Sequence, residues 1–345
     1  MKSICLIVPY IGKLNDFFLL WLKTAEANET IDFYLFVDDE DFITSYKPAH
    51  NVSVINSTLS ELKKRFENLL GFEIALNAPY KLCDYKPIFG EAFKEITQNY
   101  DFWGYCDCND MLLGKLRDYL TDEILEKYDR FLTLGHLSIY KNNEKLNGIY
   151  RFDESGYPAL SYTNVYKTDD SMYFDEYRGV YSKCLLNGIR FWLAKDVMRD
   201  PITCEDKFYF DGISKEKQFI VFWENGQVFS VDSSLRKKKM LYCHFYRRKF
   251  EINNFNEIQT IKVVPGYVFI NDLVTIDDFE YKEAAFYKAR YYFRMVRNAV
   301  RRYGIRKNIQ RRKWTKDSNE YLSKLENNKY CEASYATRIH SLDDE

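Results

Sequence analysis

The chain has 345 residues, 46% of them apolar and 29% charged, which is enough to bury a core and excludes global disorder. Its formal net charge is −1, so the molecule as a whole offers no field to steer a polyanion. Aromatic residues reach 17%, with 29 Tyr and 26 Phe, a supply of flat amphipathic rings that suits sugar stacking and equally a simple compositional bias.

Residues 4–8 form a continuous apolar run closed by Pro9, the pattern of a buried strand in a parallel sheet. Phe17, Leu20, Trp21 and Ala25 then recur at helical spacing. Residues 31–37 read as a second strand, ending in Asp38-Asp39-Glu40-Asp41, and residues 52–55 as a third. Strand, helix, strand, loop, strand is the opening of a doubly wound α/β sheet. Such sheets bind ligands beyond the carboxyl ends of their strands, which singles out Pro9, Tyr10 and Asp38 as nucleotide contacts.

Residues 59–76 and 87–98 carry helical patterns. Residues 100–105 read as a buried strand that runs into Cys106-Asp107-Cys108-Asn109-Asp110. Thr121 predicts a capped helix over 121–128. Strands are expected at 131–133, 137–140 and 159–166. Asp175-Glu176 precedes a helix over 180–186, which Asn187-Gly188 stops before a strand at 189–192. Residues 219–231 read as a hairpin turning at Asn225-Gly226.

The eight cysteines, at 5, 83, 106, 108, 184, 204, 243 and 331, have no disulfide-framework spacing and read as reduced thiols. Cys106-x-Cys108 with Cys83 and Cys243 lacks the paired spacing of a zinc site. The run at 4–8 is too short for a signal peptide, and no stretch approaches the ~18–20 apolar residues of a spanning helix. The expectation is a cytoplasmic protein.

Asp107-Cys108-Asn109-Asp110 is the chemistry-bearing motif. A strand end presenting two carboxylates can hold Mg²⁺ or Mn²⁺, with phosphate oxygens completing the shell. Asp and Asn after a strand are also ordinary turn residues. The second ligand is Asn109 or Asp110. Asp175-Glu176 can supply a general base or simply a charged first helical turn. Glu205-Asp206 is a rival acidic pair.

Five further segments stand in order along the chain: Tyr80-Lys81-Leu82-Cys83-Asp84-Tyr85-Lys86-Pro87, Tyr100-Asp101-Phe102-Trp103-Gly104-Tyr105-Cys106-Asp107, Leu120-Thr121-Asp122-Glu123-Ile124-Leu125, Gly135-His136-Leu137 and His244-Phe245-Tyr246-Arg247-Arg248-Lys249. Together these segments resemble glycosyltransferases of the GT-A fold. More closely, they are similar to an uncharacterised bacterial family from capsule and O-antigen gene clusters. They extend over roughly residues 3–250. The resemblance implies a GT-A-like mixed sheet flanked by helices over 1–250. It implies a metal, Mn²⁺ or Mg²⁺, held by Asp107, Asn109 or Asp110, and His244. It implies a nucleoside-diphosphate sugar donor, a UDP-sugar foremost, gripped by Lys81, Asp84, Lys86, Arg247 and Arg248. Asp175 or Glu176 would be the base of an inverting reaction. The acceptor would be polyprenyl-linked or an oligosaccharide. A non-catalytic scaffold of a polysaccharide assembly complex is the alternative.

Residues 251–345 read as a C-terminal extension. Between Lys282 and Lys316 stand thirteen Lys or Arg opposed only by Glu283. Tyr292, Met295, Val296, Ala299 and Tyr303 form an apolar stripe among them, the pattern of a basic amphipathic helix. It is expected to dock the protein on the anionic inner face of the cell membrane. Nucleic acid is not an expected partner.

Overall fold

The computed structural model describes residues 1–153, 160–192, 198–199, 207–209, 218–245, 248–253 and 257–282, with isolated positions from 289 to 320. Strand β1 (Ile4–Tyr10) leads to helix α1 (Asp16–Glu26), then β2 (Asp32–Val37), the short helix α2 (Glu40–Ser45), β3 (Val52–Asn56) and helix α3 (Leu59–Leu70). A 3-10 segment at Pro79–Ile88 precedes β4 (Phe102–Cys106), and β5 (Met111–Leu113) follows. Next come β6 (Arg130–Leu134), β7 (Leu137–Lys141) and β8 (Phe191–Trp192).

Seven of these strands form one mixed sheet in the order β3-β2-β1-β4-β7-β6-β8. Strands β1 to β4 run parallel, whereas β7 is antiparallel to β4. Helices cover both faces, so β1 is apolar throughout. Ile4, Leu6 and Val8 enter one core, while Cys5 and Ile7 enter the other.

A short strand, β9 (Met198–Arg199), precedes a second region built from β10 (Phe219–Glu224), β11 (Gln227–Asp232), β12 (Lys237–Met240), β13 (Tyr242–His244), β14 (Glu251–Asn253), β15 (Thr260–Val264) and β16 (Tyr267–Ile270). Six of them make a sheet in the order β12-β11-β10-β15-β16-β14. The domain boundary expected at residue 250 therefore falls inside this sheet. Asn225 and Gly226 take φ of 50° and 78°, as a two-residue hairpin loop requires.

Helix α1 lies between the two sheets. The Asn15 side chain accepts the Phe18 N–H and starts it. Phe18, Trp21, Leu22 and Ala25 pack on the first sheet, and Phe17 and Leu20 on the second. A helix apolar on two sides belongs between two layers. Three short strands, β5-β13-β9, form a small third sheet.

Three sequence expectations need correction. The helix expected over 59–76 ends at Leu70, because Gly71 takes φ 76° and caps it. The strand expected over 159–166 is in part a helical turn, Tyr162–Tyr166, whose Val165 and Tyr166 are buried beside Tyr85. The helix expected over 87–98 is a 3-10 segment through Pro87 and two short turns, Phe89–Ala92 and Lys94–Thr97. The six described cysteines are free thiols. Among the described residues no helix is long and apolar enough to cross a membrane. Arg247, Glu205-Asp206 and nearly all of 282–316 lie outside the described residues.

Candidate metal and catalytic site

The site forms where β4 ends. The β4–β7 ladder continues one step further, with the Asp107 N–H donating to the His136 carbonyl at 2.8 Å. Cys108 turns into the core, 3% exposed, and pins the loop. The Asn15 carboxamide donates to the Asn109 carbonyl at 3.1 Å. The chain then re-enters as β5, paired antiparallel with β13 so that Met111 faces His244. The Phe245 N–H donates to the Asp110 carbonyl at 2.7 Å. This register sets His244 against the motif 134 residues earlier in the chain.

The outcome is a cluster of Asp107, Asp110 and His244, with one ligand atom from each lying within 4.8 Å of the others. His244 Nε2 is 3.3 Å from Asp110 Oδ1 and 4.0 Å from Asp107 Oδ2. The Asn109 side chain meets the Tyr10 hydroxyl. Of the two candidates for the second ligand position, Asp110 has the geometry.

Lys86 is buried behind Asp107. Its Nζ donates to Asp107 Oδ1 at 2.7 Å and to the Gly135 carbonyl at 2.6 Å, and lies 3.5 Å from Asp175 Oδ2. Burial pulls the ammonium pKa down, but the Asp107 and Asp175 charges outweigh it, and the net shift is upward. Lys86 thus stays charged inside the protein and links three segments. Expected at the donor, Lys86 is held here by Asp107, the Gly135 carbonyl and Asp175.

Lys81 and Asp84, also expected at the donor, are enclosed too. They are 2% and 0% exposed and pair at 2.8 Å. Asp84 accepts the N–H of Met172 and of Phe174, each at 2.8 Å, and Lys81 also donates to the carbonyls of Val165 and Asp170. Groups so enclosed have no surface for a ligand. They hold the segment that leads to Asp175. Arg248, expected to grip diphosphate, is 6% exposed with its guanidinium carbon 4.9 Å from the Phe208 ring centroid.

Asp175 is buried, and Oδ1 has no hydrogen-bond partner among the described residues. Burial pushes its carboxyl pKa up, against the pull of Lys86. Glu176 is partly exposed, and its Oε1 accepts the Gly135 N–H at 3.2 Å. Burial raises its pKa too, opposed by that N–H. A Cβ at Gly135 would stand 2.4 Å from Asp175 Oδ2, so only glycine lets the β6–β7 turn approach this pair. Pro9 and Tyr10 close β1, and Asp38 accepts the Gly12 N–H at 2.6 Å, tying the loop after β1 to the end of β2.

Sequence reasoning assigned no role to His136. Its ring stacks on His244, with centroids 4.2 Å apart and planes 8° apart. Burial, then the nearby His244 and Lys86, push its pKa well below the usual histidine value, so a neutral ring backs His244. The Gly135-His136-Leu137 segment was the only signal for it.

Fold and site together define a mixed α/β protein with a carboxylate–imidazole cluster at the carboxyl edge of its parallel strands. The chain belongs to a family of unknown function (DUF6625), whose model matches residues 6–272. That match takes in both large sheets. No curated protein matches. Among solved structures, the bifunctional IspDF from Campylobacter jejuni is similar at 10% identity and a TM-score of 0.26. The similarity covers 56% of this chain and 49% of that one, so the chain spans about half of that relative's length. A score that low carries no argument about fold or activity.

Proposed function

We propose that this protein is a metal-dependent glycosyltransferase of the GT-A type. It would move a sugar from a nucleoside diphosphate to a lipid-linked or oligosaccharide acceptor in cell-surface polysaccharide synthesis. The observation that carries this reading is the convergence of Asp107, Asp110 and His244 beyond the parallel strands. Two carboxylates and one imidazole fit a divalent cation of the Mn²⁺ kind better than a thiolate-seeking metal. What such an ion contributes is charge neutralisation on the departing diphosphate.

The protein's own groups have distinct tasks. Lys86 takes one oxygen of Asp107 and leaves Oδ2 on the side of His244. Of the acidic pair, Glu176 is the one with solvent access, and it is the base in this reading. The Gly135 N–H orients Oε1, which leaves Oε2 to accept the acceptor's hydroxyl proton. A carboxylate pKa raised by burial brings such a base closer to neutral pH.

Thermal melting against a panel of nucleoside diphosphates, each with and without Mn²⁺, tests the donor half of this reading. One nucleotide is expected to raise the melting temperature by about 5 °C at a hundredfold excess over its Kd, and only with Mn²⁺. No shift with any nucleotide would leave a non-catalytic scaffold as the better reading.

A further inference from the structure

We propose that Tyr173 is the stacking face of an acceptor-sugar subsite beside the acidic pair. The inference rests on the glycosyltransferase reading and adds a ligand class to the acceptor side. Tyr173 has φ 55°, in the left-handed region that aromatic residues avoid. The conformation is imposed from both sides. The N–H groups of its neighbours, Met172 and Phe174, both end on the buried Asp84 carboxylate, which Lys81 neutralises. A buried ion pair therefore fixes an unfavourable backbone at a residue whose own ring is 40% exposed.

Packing does not explain that ring. The neighbouring tyrosines that serve the core, Tyr85, Tyr150 and Tyr166, are all 0% exposed. Nor does the turn explain it, since glycine or asparagine takes such a φ more readily. Position does offer an explanation. Asp175 follows two residues later and Glu176 three, and two residues span at most roughly 7 Å. The Glu176 N–H donates to the Tyr173 carbonyl at 3.2 Å, so a tight turn sets the backbone of Tyr173 beside that of the proposed base. A pyranose has an apolar C–H face that matches an aromatic ring, while its hydroxyls remain in water. Tyr80 offers a second ring, 51% exposed, one residue before Lys81 in the same clamp.

Saturation-transfer NMR with the methyl α- and β-pyranosides of glucose, galactose and mannose tests this on the whole protein. Wild type and Tyr173→Phe should saturate the ring-face protons of at least one pyranoside. Tyr173→Ala and Tyr173→Gly should weaken that binding about tenfold. Tyr173→Gly should also melt no lower than wild type, since it relieves the strained φ, so lost binding there is not lost folding. No pyranoside binding by wild type, or undiminished binding by Tyr173→Ala, would overturn the proposal. The nucleotide melting shift separates the two readings. A Tyr173-dependent sugar signal without any nucleotide shift would keep the sugar subsite and remove the transferase.

Discussion

Lys86→Met should destabilise the fold by about 3–5 kcal/mol, read as a lower midpoint in urea unfolding followed by circular dichroism. The side chain is 10% exposed, and its ammonium lies between Asp107 and Asp175. Removing it leaves two carboxylates close together with no cation, and Asp175 is 3% exposed. The contrast is with an exposed pair such as Arg236–Asp232, where the arginine is 79% exposed and the pair is worth about 0–1 kcal/mol. The methionine keeps most of the aliphatic volume, so the loss reports charge rather than a cavity. A change below about 1 kcal/mol would contradict Lys86 as the link between strand end, turn and acidic pair.

Asp107→Ala and Asp110→Ala should each lower Mn²⁺ affinity by at least about 100-fold, as read from the free-Mn²⁺ signal in paramagnetic resonance titrations. Loss of a mere supporting residue already costs about 10–100-fold. Asn109→Ala should change it by no more than about threefold, because the Asn109 side chain meets Tyr10 and its carbonyl, which the substitution keeps, holds Asn15. The comparison decides which residue is the second ligand. Equal losses at Asn109 and Asp110 would mean that the loop reorganises on binding. A loss at Asn109 alone would contradict the observed geometry.

The first half of the fold was legible because local signals and tertiary demands agree there. Residues 4–8 are apolar on both pleats, and Phe17, Leu20, Trp21 and Ala25 recur at helical spacing; further along, Asn225-Gly226 marks its hairpin without help from distant residues. Residues 159–166 misled because Tyr, Thr and Val favour strands. The stacking of Tyr166 on Tyr85, with centroids 4.6 Å apart, instead fixes a helical turn. Strands β14 to β16 were missed because they are three to five residues long. Their identity comes from pairing, β15 with β10, β16 with β15 and β14 with β16, which sequence spacing does not encode.

The site was half legible. Asp107 and Asp110 announce themselves at a strand end, and His244 entered through resemblance alone. Only the β5–β13 register brings His244 to them. Lys81, Asp84 and Lys86 were read as ligand-facing through the resemblance, and nothing in their spacing signals burial. Their burial follows from partners that lie 21 to 90 positions away. His136 carried no signal beyond its motif, since ring stacking leaves no trace in spacing.

The most direct measurement is nucleoside diphosphate release from a panel of nucleotide sugars, in Mn²⁺, with and without chelator, for wild type and Asp107→Ala. Release from one nucleotide sugar, abolished by chelator and by the substitution, is the expected result. No release from any nucleotide sugar, or release that persists in chelator and in Asp107→Ala, would contradict a metal-dependent glycosyltransferase.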